Sequence, residues 1–310
     1  MTELMNYLIL GITRGSMYAL IALGYTLVYG VLQLINFAHS EVFMAGAFGS
    51  YLVVSWAVGN GQDTPGWAVP FVLLLGLVSG ALVGAVAAWG LERVAYRPLR
   101  RRGAPKLAFL ISAIGVSFFL SQLAGKLFNR FTNNTFPNYF QIDRTVFTIF
   151  GANVQVIQLI LIGSAVVMMI CLDRLVSGTK LGRSIRGVAE DSPTAALMGI
   201  DIDKTISKTF IIGGALGGAA GFLFGTAFVF SSTMGFAPGI KAFAAAVLGG
   251  IGNVRGAMLG GLTLGIVETL IPTLPFVGTE WTDVVAFLVL ILVLVFRPTG
   301  LLGERLGRAA

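Results

Sequence analysis

Six stretches of this sequence run for 19 residues or more without one Asp, Glu, Lys or Arg: residues 15–40, 42–62, 64–91, 107–125, 145–172 and 209–240. A helix needs about 18 to 20 apolar residues to cross a hydrocarbon core. Soluble domains carry about 25% charged residues, whereas this chain of 310 residues carries 11%. No strict polar/apolar alternation runs through the stretches, and a backbone in lipid must satisfy its own hydrogen bonds, so helix is preferred to barrel. Shorter apolar runs at 242–254, 256–267 and 284–296 read as half-helices or as spans extended by a tolerated polar residue. The expectation is an all-α, polytopic transmembrane helical bundle of about 8–10 membrane segments, with broken helices and an inverted repeat. It forms a single transmembrane domain over 1–310, with a first half to about 175, a cytoplasmic loop over about 176–206 and a second half over about 207–298.

The charges that remain set the orientation. Net charge is +7, yet the basic residues gather beside the ends of apolar runs, as Arg93, Arg97, Arg100, Arg101, Arg102 and Lys106 do. That is the pattern of cytoplasmic loops in a membrane protein, and it argues against nucleic acid as a partner. Loops 93–106 and 174–208 and the tail with Arg297, Arg305 and Arg308 are expected in the cytoplasm, with the N-terminus outside and the C-terminus inside. Nine segments then alternate, near 7–33, 39–58, 67–93, 107–127, 152–173, 208–230, 236–252, 256–275 and 281–297. Residues 1–10 lack a basic patch and a small-residue cleavage site, so they read as part of the first span. The polar stretch 129–144, with Asn133, Asn134, Pro137 and Asn138, is expected outside, as a dock for an external partner or as an irregular solvated loop.

Repetition points towards transport. Phe37-Ala38-His39 follows one long apolar run and Phe236-Ala237-Pro238 follows another, with Phe43 and Phe243 further on. An odd number of crossings separates the copies, which is the inverted-repeat logic of alternating-access transporters with broken helices near the midplane. Asn36 and Ser40 suit a helix start, and Glu41 suits the positive end of a helix dipole. Glu41 and the lone His39 are costly against lipid, so both are expected to face the bundle or an aqueous path. A capped helix start that touches no solute is the competing reading. Lys241 and Glu268 are further intramembrane charges, and nothing in the sequence places them within reach of each other.

Glycines recur every four residues at Gly76, Gly80 and Gly84, at Gly213, Gly217, Gly221 and Gly225, and at Gly252, Gly256 and Gly260, a pattern that lets helices approach closely in lipid. The single cysteine, Cys171, reads as a packing residue. Neither metal-ligand spacing nor a nucleophile motif is visible, so no catalytic residue, metal site or bound cofactor is expected and a membrane enzyme is disfavoured. Between two spans, residues 179–186 (TKLGRSIR) lead into 188–200 (VAEDSPTAALMGI), which reads as a short soluble helix.

These residues carry a resemblance. Residues 18–25 (YALIALGY), 35–39 (INFAH), 92–98 (ERVAYRP), 110–115 (LISAIG), the loop just quoted, 241–252 and 297–303 (RPTGLLG) resemble, in order, the smaller permease of the leucine/isoleucine/valine ATP-binding cassette importers, a family that includes urea and amide permeases. Ser40 departs from the glycine expected after Ala-His. The resemblance implies a second related permease, two cytoplasmic ATPase subunits that use ATP and Mg, and an external solute-binding protein. It implies coupling to the ATPases through Arg183, Arg186, Glu190, Asp191, Ala195, Leu197 and Gly199, and it leaves Asn36, His39, Glu41, Lys241 and Glu268 as candidates for the translocation path. This chain has no phosphate-binding loop of its own. The function expected is import of branched-chain amino acids or related small polar solutes across a bacterial cytoplasmic membrane, the alternatives being a urea or amide permease or an ion-coupled secondary transporter.

Overall fold

In a computed structural model, the described residues are 2–34, 36–59, 65, 67–128, 136, 145–273 and 278–303. Helix α1 (Thr2–Leu32) is followed by a break, then α2 (His39–Val58) and α3 (Val69–Leu91). A π-helical turn (Glu92–Tyr96) continues α3 into the short α4 (Arg97–Arg101), before α5 (Lys106–Leu127). An antiparallel hairpin of β1 (Thr145–Ile149) and β2 (Ala152–Gln155) leads into α6 (Val156–Gly178). Two short helices follow, α7 (Lys180–Glu190) and α8 (Ser192–Leu197). The second set of long helices is α9 (Ile202–Ala227), α10 (Phe236–Gly249) and α11 (Val254–Leu270), and α12 (Thr282–Phe296) closes the chain.

Among the described residues, seven helices are long and apolar enough to span a membrane, and α10 and α12 are shorter apolar helices. All nine lie where the neutral runs place them. The packing explains why the chain carries so much glycine. A Cβ on Gly84 would lie 2.2 Å from the Gly214 carbonyl, and one on Gly218 would lie 2.0 Å from that of Gly80, so α3 and α9 touch backbone to backbone. At the α1/α11 crossing, a Cβ on Gly265 would lie 2.2 Å from the Gly15 nitrogen. In lipid, where burial of apolar surface gives no net drive, such contact is what holds helices together.

The same pairs reveal the internal symmetry. Helix α1 packs on α11 as α9 packs on α3, α2 lies on α3 as α10 lies on α11, and α2 touches α9 as α10 touches α1. Exchanging α1–α3 with α9–α11 leaves the packing pattern unchanged. Five long helices precede α9, so the second set runs through the bundle in the opposite sense.

Several expectations need correction. Residues 152–155, read as the start of the span near 152–173, form the second strand of the hairpin, and α6 starts only at Val156. The single helix expected over 188–200 is two helices divided at Asp191, which ends α7 and caps α8. Cys171 is exposed on α6 rather than packed inside, because it lies on the face directed away from the bundle. The predicted external dock at 129–144 lies outside the described residues except for Phe136, which packs against Tyr51, Phe222 and Phe230. Arg305 and Arg308 also lie outside them.

Candidate translocation site and coupling surface

The first break is built by Asn36. Its side-chain oxygen accepts from the Ala38 amide at 3.1 Å and its carbonyl accepts from the His39 amide at 3.1 Å, a tight turn that launches α2. The helix cap itself is Ala38 and no side chain caps α2, so the capping expected of Asn36 and Ser40 is not made: Asn36 closes the turn upstream, and the Ser40 hydroxyl donates to the Phe37 carbonyl at 2.8 Å. Helix α10 starts beside that point: a Cβ on Gly235 would lie 2.5 Å from the Ser40 carbonyl, and one on Gly239 would lie 2.5 Å from the Ser40 Cβ. Two broken helices thus present their N-terminal ends to one place inside the bundle, as the sequence repeat implies.

A cavity of about 690 Å³ opens there, between α2, α5 and α10. Its size falls within the ~300–1,000 Å³ of small-molecule sites. Most of its wall is apolar, with Phe37, Phe118 and Phe236, and its polar groups include Glu41, Ser117 and Ser121. Glu41 is 2% exposed; its Oε1 accepts from the Ser117 hydroxyl at 3.1 Å, and its Oε2 has no hydrogen-bond partner.

Of the five path candidates, only Glu41 lines this cavity. His39 is buried behind α2, edge-on to Tyr25 at 4.8 Å between ring centres, where a Cβ on Gly24 would lie 2.2 Å from its Nε2. Asn36 also receives the Tyr96 hydroxyl at 3.0 Å. Lys241 and Glu268 meet after all: Nζ lies 2.9 Å from the Glu268 carboxylate and 2.7 Å from Asp283, with Arg14 at 3.9 Å from Glu268. They join α10, α11, α12 and α1 away from the cavity.

The connecting loop is a two-helix bracket. Gly182, Ile185 and Val188 of α7 face inward at helical spacing, while Arg183, Arg186 and Glu190 are exposed. The Arg186 guanidinium donates to the Val176 carbonyl and ties α7 to α6. Asp191 accepts from the Thr194 hydroxyl and, at 3.3 Å, from its amide, and these bonds hold its carboxyl below the usual aspartate range. Ala195 is buried, Gly199 turns the chain with φ +83°, and Leu197 and Met198 stand 88% and 79% exposed at the tip.

A further group went unremarked in the sequence beyond its place in a matching motif. Glu92, fully buried in the π-turn, accepts from Arg97 Nε at 3.2 Å, Arg100 at 3.2 Å and the Ser207 hydroxyl at 2.8 Å. Asp203, at the foot of α9, takes Arg100 at 2.5 Å and Arg101 at 2.9 Å. The legible signal was a glutamate ending a long apolar run with arginines five and eight residues later. The Gln33 amide donates to the Ala189 carbonyl at 3.0 Å, so α7 also holds the chain just before the break.

The family model for the branched-chain amino acid transport system permease component matches residues 7–294. The chain is 42% identical to the high-affinity branched-chain amino acid transport permease LivH of Escherichia coli K12, over 95% of this chain and 94% of that protein. The chain belongs to this permease family. BraD of Pseudomonas aeruginosa is 41% identical over 98% of both chains, and a probable LivH of Methanocaldococcus jannaschii is 28% identical over 94% of this chain and 90% of its own. The resemblance read from motifs is therefore established for nearly the whole length. For this multi-pass member of the family, the cavity, the Glu92 cluster and the α7–α8 bracket all lie within the matched residues.

Proposed function

We propose that this chain is the membrane permease of an ATP-driven importer for branched-chain amino acids, with the cavity between α2, α5 and α10 as its translocation site. The supporting observation is the match over residues 7–294 together with a cavity at the junction of two half-helices. Two ATPase subunits, each using ATP and Mg, sit beneath the membrane and grip Leu197 and Met198 at the α8 tip. A second related permease closes the bundle on the α5 side, where only Phe109, Ala113 and Ala124 are buried. An external binding protein delivers solute.

The N-terminus lies outside and the C-terminus in the cytoplasm. This orientation rests on one basic face: Gln33 meets Ala189, Arg100 meets Asp203 and Arg255 meets Asp173, which gathers the ends of α3, α6, α9 and α11 that carry Arg or Lys on the side of α7. ATP-driven closure of the ATPases displaces α7 and α8. The displacement reaches the break before α2 through Gln33, and the foot of α9 through the short turn that follows Gly199. Rocking of α2 against α10 then exposes the cavity to one side at a time.

The test is uptake of labelled leucine into vesicles holding the permease pair and ATPases, with the binding protein outside and ATP inside. Replacing Leu197 and Met198 by Ala is expected to abolish both uptake and the stimulation of ATP hydrolysis by loaded binding protein. Leucine entry that proceeds at full rate without nucleotide overturns the reading.

A further inference from the structure

Among the described residues three glutamates are buried in the bundle, and their surroundings differ. Glu92 is held by Arg97, Arg100 and Ser207, and Glu268 is held by Lys241 with Arg14 nearby. Glu41 has no cationic partner among the described residues; the hydroxyls beside it, Ser117 at 3.1 Å and Ser40, are neutral. It is 2% exposed, lines the cavity, and keeps Oε2 without a hydrogen-bond partner. A buried carboxylate with a free oxygen is costly unless something cationic or a donor meets it. Glu41 lies in the first turn of α2, beside the positive end of the helix dipole.

The rest of the cavity supplies what such a carboxylate lacks. Helix α10 begins on the same wall with Phe236 and Ala237, and a Cβ on Gly235, its cap residue, would lie 3.3 Å from Glu41 Oε1. A negative group and the positive end of a second helix thus stand side by side, with Phe37, Ile114 and Phe118 around them. A zwitterion with an apolar side chain has the complementary layout: adjacent ammonium and carboxylate, and one greasy branch.

Building on the proposed translocation site, we infer that Glu41 accepts the α-ammonium group of the amino acid in transit while the first turn of α10 faces its carboxylate. Glu41 makes the cavity selective for free α-amino acids over neutral or anionic analogues of similar shape.

The experiment compares Glu41→Gln and Glu41→Asp in the complete reconstituted assembly, reading leucine uptake and ATP hydrolysis stimulated by loaded binding protein. Loss of one charged hydrogen bond corresponds to about tenfold or more. Glu41→Gln is expected to lower leucine moved per ATP hydrolysed by about tenfold or more, with stimulated hydrolysis retained, and Glu41→Asp to restore most of the transport. Unchanged uptake in Glu41→Gln overturns the inference. So does a loss of stimulated hydrolysis together with uptake in both variants, which marks Glu41 as a packing residue. Wild-type assembly that imports no branched-chain amino acid instead overturns the permease reading beneath it.

Discussion

Two buried charge clusters occupy equivalent places in the two halves of the bundle and are built to different standards. Glu92 ends α3 and clamps it to the start of α9; Glu268 lies near the end of α11 and faces Arg14 in the first half of α1. Exchanging the halves carries one clamp onto the other, at opposite ends of the molecule. The Glu92 clamp is redundant: both carboxylate oxygens are occupied, two arginines and a serine share them, and Asp203 balances the surplus positive charge. The Glu268 clamp has one close cation, Lys241, with Arg14 at 3.9 Å and Tyr18 beside it, leaves Oε2 without a hydrogen-bond partner among the described residues, and shares that lysine with the 63%-exposed Asp283. A closed network resists separation, whereas one ammonium shared between two carboxylates can change partners at small cost. The α3/α9 contact is thus the fixed base, and the α10/α11/α12 contact is the one suited to yield as the gate moves.

The largest effect expected follows from breaking the fixed base. Glu92→Ala leaves Arg97 with Ser207 alone and Arg100 with Asp203 alone, and removing one partner of a buried ion pair costs about 3–5 kcal/mol. The thermal midpoint of the purified chain in detergent should fall accordingly, further than for any variant of the other clamp. A midpoint like that of wild type would show that α3 and α9 are held by their glycine contact alone.

Lys241→Met should cost less, about 1–3 kcal/mol, because it leaves Glu268 Oε1 short of one donor while Arg14 remains nearby. Adding Glu268→Gln to Lys241→Met should recover much of that loss, since the neutral amide leaves no buried carboxylate without its counter-charge. Uptake is the sharper readout: if the lysine is a yielding contact, both variants change transport rate more than they change the midpoint. Smaller still is Arg14→Gln, at about 0–1 kcal/mol, because Arg14 is 37% exposed and stands 3.9 Å away. Should Arg14→Gln cost as much as Lys241→Met, the two clamps are more alike than their geometry suggests.

How much of this was legible follows from what each feature depends on. Span positions depend on local composition, so all nine segments were visible in the neutral runs, and the glycine ridges announced close packing without naming the partner helix. The break at Asn36 was visible because turn chemistry is local. The pairing of Lys241 with Glu268 was not, since residues 27 apart in sequence meet only through the α10/α11 turn. Neither was the isolation of His39, whose surroundings come from Gly24 and Gly217 on two distant helices. The hairpin was missed because its residues are as apolar as a span and only their pairing distinguishes them. The α7/α8 division was hidden in one residue, Asp191, that ends one helix and begins the next.

Asp191 also provides the weakest and most local contrast with the two clamps, for it is an exposed carboxylate whose bonds stay within one turn of chain. Thr194 holds its carboxyl below the usual range, so the cap contributes order that is fully present above the unfolded pKa of about 4 and is lost as pH falls through the lower folded value. A nitroxide on Leu197→Cys, in a Cys171→Ser background, should therefore keep constant mobility from about pH 7 to pH 5 and loosen only below about pH 4. Asp191→Asn, which caps without titrating, should give a flat profile across the whole range. An identical acid transition in that variant would assign the loosening to some other group and remove Asp191 from the account of how the coupling tip is held.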